Sequence, residues 1–148
     1  MSQAADSTDT GARRASSRAR RLLFLAALAF AAADLVAKVV AESRLNETSV
    51  DLGVLQLQLA HNDGVAFSLG NSLPSSVVLA LTAALTGGMA LYGWRHAPTA
   101  NRVQLIAGAA ILGGATANVI DRAGDGVVTD YLHTGWWPTF NLADAFLV

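Results

Sequence analysis

Apolar residues gather into three long runs along the chain, set apart by short polar stretches. The first, from Leu22 to Ala41, is interrupted only by Asp34 and Lys38. The second runs from about Leu73 to Trp94 and the third from about Val103 to Ile120. Each is about as long as a helix needs to cross a hydrocarbon layer of roughly 30 Å. A fourth helical pattern starts near Asn141, where eight residues remain. The pattern therefore predicts a mainly α, polytopic membrane protein with three full transmembrane helices and the start of a fourth. Between the first two runs, Leu55 to Leu59 (LQLQL) alternates apolar and polar, which suits a half-buried strand. Asp63-Gly64 follows as a turn pair, and Gly126 to Leu132 (GVVTDYL) reads as a second strand. A small β element is thus expected on one end of the bundle.

Residues 1–21 hold Ser, Thr, Ala, Asp and Arg with no periodic apolar face, and read as a disordered basic tail before a membrane domain over 22–148. An Arg-rich start, an apolar core and the small residues of AFAAAD also imitate a cleaved secretory signal. The two further apolar runs argue against an ordinary secreted domain. Arg13, Arg14, Arg18, Arg20 and Arg21 precede the first run, and Arg95 and Arg102 bound the loop between the second and third. The positive-inside rule puts both on the cytoplasmic side, with the N-terminus. The loop over 42–72 and the segment over 121–139 then face outward. Trp136 and Trp137 suit a membrane–water boundary.

Composition narrows the chemistry. The chain is 53% hydrophobic and 14% charged, with a net charge of −1, so no nucleic-acid footprint exists. It has no Cys, which excludes disulfides, a cysteine nucleophile and a thiolate metal site. His61, His96 and His133 are scattered, with His96 on the opposite side, so neither a three-His metal site nor a Ser/His/Asp triad is expected.

Six polar residues need reasons. Asp34 and Lys38 share a helix face at i, i+4, and ionisable groups inside a span pair with one another or face a cavity. A packing ion pair is the plainer reading of Lys38; Asp34 reads as a supporting residue near a site. Asn118 and Asp121 end the third span at i, i+3, followed by Arg122. A carboxylate at a helix C-terminus opposes the dipole, so Asp121 should have a cationic or hydrogen-bonding partner, Arg122 or Lys38. Asp144 sits three residues after Asn141, which capping alone explains. Asp130 in an otherwise apolar strand has no such explanation. Two carboxylates brought together would share a proton, one serving as base on water and the other as acid. The glycine pairs at 87–88 and 113–114 lie inside spans, where small residues let helices approach.

These residues fall into motifs. Asp34-x-x-x-Lys38 lies in the first span, and Asn62, Gly64, Ala66, Phe67 and Ser68 follow the β element. Gly113, Gly114, Ala115, Asn118, Asp121 and Arg122 close the third span. Asp130-Tyr131 and then Phe140, Asn141, Ala143 and Asp144 end the chain, with Thr129 and Val65 as tolerable variation. Over residues 22–148 the chain resembles the bacterial lipoprotein signal peptidases, or signal peptidase II. The resemblance implies an intramembrane aspartic endopeptidase of four transmembrane helices, with an outer β cradle and an interfacial helix. Asp130 and Asp144 would be the catalytic pair. Asn62, Gly64, Asn118, Asp121, Arg122, Asn141, Asp34 and Lys38 would line or support the pocket. The implied substrate is a diacylglyceryl-modified prolipoprotein, cut just before its lipidated cysteine, by a monomer that uses no cofactor or metal. The implied location is the bacterial cytoplasmic (inner) membrane, among lipids, with the active site near the outer face. The family's fourth helix continues for a full span where only four residues follow Asp144 here, so a fragment or truncated copy is expected. The rival readings are an inactive fragment, a non-enzymatic polytopic protein binding lipid or partner helices, and a channel or transporter subunit.

Overall fold

A computed structural model describes residues 2–46, 48–63 and 73–146, with side chains at 11 and from 13 onward. Its elements in chain order are α1 (Ser2–Leu45), β1 (Val50–Asp51), β2 (Gln56–Asn62), α2 (Ser75–His96), α3 (Arg102–Asp125), β3 (Val128–His133) and α4 (Leu142–Ala145). Three helical stretches are long and apolar enough to cross a membrane: Arg13–Leu45, Ser75–Thr99 and Arg102–Asp125. The strands expected at 55–59 and 126–132 are β2 and β3. α1 begins at Ser2, so residues 2–21 of the expected tail continue the first helix instead of lacking structure. Its Ala and Arg are good helix formers and no proline interrupts it.

α1 buries a stripe of Leu23, Ala27, Ala31, Asp34, Lys38, Ala41 and Leu45, the three-and-four spacing of one helix face. Against it lie Leu105, Ala109, Leu112 and Ala117 of α3. Gly113 sets the closeness: a Cβ there would collide with the Ala27 carbonyl oxygen and lie 2.7 Å from Phe30 Cβ. Gly87 and Gly88 do not act this way, since nothing lies within 4 Å of a Cβ added at either. α2 is peripheral, with only Val78 buried. Leu25, Leu28, Val36, Val39, Leu81, Leu85 and Val103 are exposed, an apolar exterior that suits a lipid solvent.

At the end of the bundle away from Arg95 and Arg102, a three-stranded antiparallel sheet runs in the order β1-β2-β3. Gly126, at φ 94°, caps α3 and turns the chain into β3. After β3 the chain folds back on it: Phe140 N–H donates to Leu132 O (2.9 Å), and Leu132 N–H to Phe140 O (2.8 Å). This return lays α4 across the tops of α1 and α3. Gly114 admits it, since a Cβ there would lie 2.9 Å from Ala143 Cα. Phe146 stacks edge-on against Phe30, with centroids 5.0 Å apart. No interfacial helix appears among the described residues.

Candidate active site

Asn141 joins the two acids. It caps α4, its Oδ1 accepting from Asp144 N–H (3.0 Å) while Asp144 Oδ2 accepts from its own N–H (3.2 Å). Its amide nitrogen donates to Asp130 Oδ1 at 2.7 Å and to Asn118 Oδ1 at 3.2 Å. Asp144 is thus a capping residue, as its spacing suggested, and also a neighbour of Asp130. The fold-back from β3 makes this possible, because it returns the chain to the strand that carries Asp130. Two longer bonds complete the ring: Asn118 Nδ2 to Asp144 Oδ1 (3.4 Å) and Asn62 Nδ2 to Asp130 Oδ2 (3.5 Å).

Lys38 is more than a packing pair. Its Nζ lies 3.1 Å from Asp34 Oδ2, 3.1 Å from Asp121 Oδ2 and 2.6 Å from Asn118 Oδ1. The Asp34 contact is an ion pair by distance, outside hydrogen-bonding geometry. Lys38 is therefore the partner that Asp121 required. Arg122 turns elsewhere, donating from Nη2 to Asn62 O (3.1 Å). Asp34, fully buried, accepts the Ala143 N–H of α4 at 3.0 Å. Of the expected site residues, Asp34, Lys38, Asn62, Asn118, Asp121, Arg122, Asp130, Asn141 and Asp144 converge in one network. Gly64 lies outside the described residues, as do Val65, Ala66, Phe67 and Ser68.

Two residues escaped the sequence reading. Thr129 is 1% exposed, its N–H donating to Asp121 Oδ2 (2.8 Å) and its hydroxyl to Glu42 Oε1 (2.9 Å). That is not the environment of a tolerable variant. Glu42, one turn beyond Lys38, carried a weak signal: it continues the spacing of Asp34 and Lys38.

The Asp130 carboxyl is pushed up to about 7. Burial is the main cause and the neighbouring Asp144 charge the second; hydrogen bonds from Asn141 and Asn62 and the Lys38 charge oppose them. A cavity of about 470 Å³ opens beside Asp144, lined by Thr134, Trp136, Trp137, Phe140, Asp144 and Ala145. A larger one, about 820 Å³ between α2 and α3, touches neither acid. Among the described residues no three His, Cys, Asp or Glu side chains are grouped to hold a metal. The arrangement sets two carboxyls on one asparagine, next to a slot lined mainly by apolar side chains.

Comparison with known proteins gives a consistent picture. A family model described as signal peptidase (SPase) II matches residues 26–148. A lipoprotein signal peptidase of Syntrophomonas wolfei is 41% identical over 98 residues, covering 65% of this chain and 62% of that protein. One from Vibrio cholerae is 37% identical over 136 residues, covering 84% and 78%. One from Francisella tularensis subsp. novicida is 37% identical over 131 residues, covering 82% and 81%. Two solved bacterial membrane enzymes share the fold. One has a TM-score of 0.69 at 23% identity, covering 84% of this chain and 79% of that one. The other has a TM-score of 0.66 at 20% identity, covering 84% of each.

Proposed function

Starting from the fact that the chain belongs to the signal peptidase II family, we propose that it is an aspartic endopeptidase with Asp130 and Asp144 as its catalytic pair. Its substrates are diacylglyceryl-modified prolipoproteins, cut just before the lipidated cysteine. The observation that carries this reading is Asn141, hydrogen-bonded to both acids at once. Its side-chain amide bonds the Asp130 carboxyl and its main-chain N–H bonds the Asp144 carboxyl, so one residue holds the two in one frame. Burial beside a second carboxylate keeps a proton on Asp130 near neutral pH.

Hydrolysis then needs no group beyond the pair and a water. The ionised acid takes a proton from water as the oxygen attacks the scissile carbonyl carbon. The protonated acid donates to the carbonyl oxygen, which becomes a hydroxyl in the tetrahedral intermediate. Collapse re-forms the carbonyl, breaks the C–N bond and delivers a proton to the leaving amine. Asn62, Asn118 and Asn141 orient the acids, while Lys38 balances Asp34 and Asp121. The aromatic cavity beside Asp144 suits a lipid-bearing peptide that arrives from within the bilayer. The chain lies in the bacterial cytoplasmic membrane as a monomer, arginines inward and acids near the outer face, an orientation supported by the positive-inside rule.

The test presents a diacylglyceryl-modified prolipoprotein to the membrane-embedded chain and follows signal-peptide release by gel shift. Asp130→Asn and Asp144→Asn should each abolish cleavage at unchanged membrane abundance. Cleavage by either variant at the unmutated rate would overturn the assignment.

A further inference from the structure

One face of α1 carries three ionisable residues at four-residue intervals, and each holds a different element of the site. Asp34 accepts the Ala143 N–H of α4, next to Asp144. Lys38 bonds Asn118 and pairs with Asp121 on α3. Glu42 accepts the Thr129 hydroxyl of β3, next to Asp130, at 2.9 Å. Asp34 and Glu42 stand in parallel relations to the two acids, each one residue upstream. Side chains alternate along a strand, so Thr129 and Asp130 project to opposite faces of β3. A grip on the Thr129 side chain from behind therefore fixes the strand without intruding on the acid. The Thr129 N–H is held by Asp121 as well, so both its donors are engaged.

We propose that Glu42 is a positioning residue for the peptidase reaction, acting through the Thr129 hydroxyl to fix Asp130 against α1. It touches neither substrate nor reacting atoms. This rests on Asp130 being one of the catalytic acids. The anchor ties the far end of α1 to β3, 87 residues away in sequence, in addition to the strand's pairing with β2, its bonds to Phe140 and the Asp121 bond. Without it the strand keeps its sheet pairing but Asp130 loses its register against Asn141. Substrate binding, which uses the aromatic cavity, is unaffected.

The experiment measures kcat and KM for prolipoprotein cleavage by Thr129→Val, Thr129→Ser, Glu42→Ala and Glu42→Gln in the full chain, beside Asp130→Asn. Losing a hydrogen bond to a partly exposed carboxylate should lower kcat about five- to tenfold in Thr129→Val and Glu42→Ala. KM should stay within about twofold of its unmutated value, on the same per-decade scale. Thr129→Ser and Glu42→Gln keep the donor and the acceptor and should recover most of the rate. The double variant Thr129→Val with Glu42→Ala should be no slower than either alone, because both remove one bond. Unchanged kcat in Thr129→Val and Glu42→Ala, with Asp130→Asn dead, overturns the positioning role alone. Active Asp130→Asn overturns the underlying catalytic reading. A fall in membrane abundance or melting temperature with kcat intact reduces the contact to a structural one and also overturns the proposal.

Discussion

Gly114→Ala tests whether the approach of α4 to α3 sets activity. A Cβ at this position would lie 2.9 Å from Ala143 Cα, 3.0 Å from its carbonyl oxygen and 3.1 Å from its Cβ. Two of these atoms are backbone, so no side-chain rotation relieves the contact. Restoring an ordinary 3.4 Å contact requires α4 to move by 3.4 − 2.9 = 0.5 Å. Asp144 follows Ala143 directly and moves with it. A misplacement of about 1 Å can cost roughly a hundredfold in rate, so half of that corresponds to about tenfold. Stability responds less. Replacing a helical glycine by alanine gains up to about 1 kcal/mol, against about 1–3 kcal/mol for overpacking. The expected result is a roughly tenfold loss of kcat with a net stability loss of at most about 2 kcal/mol, the difference of those two effects. Gel-shift kinetics and thermal unfolding in detergent measure the two separately. Gly88→Ala, at a site with nothing within 4 Å, serves as the matched control and should keep full activity. Unmutated rates in Gly114→Ala would refute the reasoning.

Two further perturbations address the charges. Asp130 titrates near 7 against an ordinary 3.8, and because its folded value is raised, the stability it contributes is fully present below about 3.8 and lost as pH rises through about 7. Unfolding temperatures at pH 5 and pH 8.5 should therefore differ more in the unmutated chain than in Asp130→Asn, and cleavage should decline above pH 7 as the shared proton leaves; a rate that stays flat to pH 9 would count against the shared proton. Lys38→Met leaves Asp34 and Asp121 without their common cation, and breaking a buried pair from one side costs about 3–5 kcal/mol. Thermal unfolding should show that loss, together with loss of cleavage.

Much of this was legible along the chain. Spans and strands declare themselves through apolar runs and alternation, and a carboxylate in an apolar strand, such as Asp130, has to be explained. The partner choices were not legible. Asp121 had Arg122 as its neighbour in sequence yet pairs with Lys38, because the relative rotation of α1 and α3 decides the matter and no local pattern encodes it. Thr129 looked like a variable position since its partners, Glu42 and Asp121, come from two other elements. The glycine pairs show the same limit: Gly113 and Gly114 meet neighbouring backbone and Gly87 and Gly88 meet nothing, though the dipeptides are identical. The helix through 2–21 was missed for a different reason. A polar, Ala- and Arg-rich stretch has helix propensity but no periodic apolar face to reveal it.

The charge ladder on α1 has a consequence for biosynthesis. The long-range partners of that face stand far ahead in the sequence: Asn118 lies 80 residues after Lys38, Thr129 lies 87 after Glu42 and Ala143 lies 109 after Asp34. While the ribosome is still making the second helix, none of them exists. The Asp34–Lys38 pair, separated by a single turn, is the one contact of the ladder that can form at that stage. It lets the first helix enter lipid with its two deepest charges already matched. The lysine is later shared with the third helix, and the aspartate receives the fourth only when residue 143 emerges. A network assembled in this order is incomplete until synthesis has passed residue 144, so a half-made chain in the membrane lacks the frame that brings Asp130 and Asp144 together.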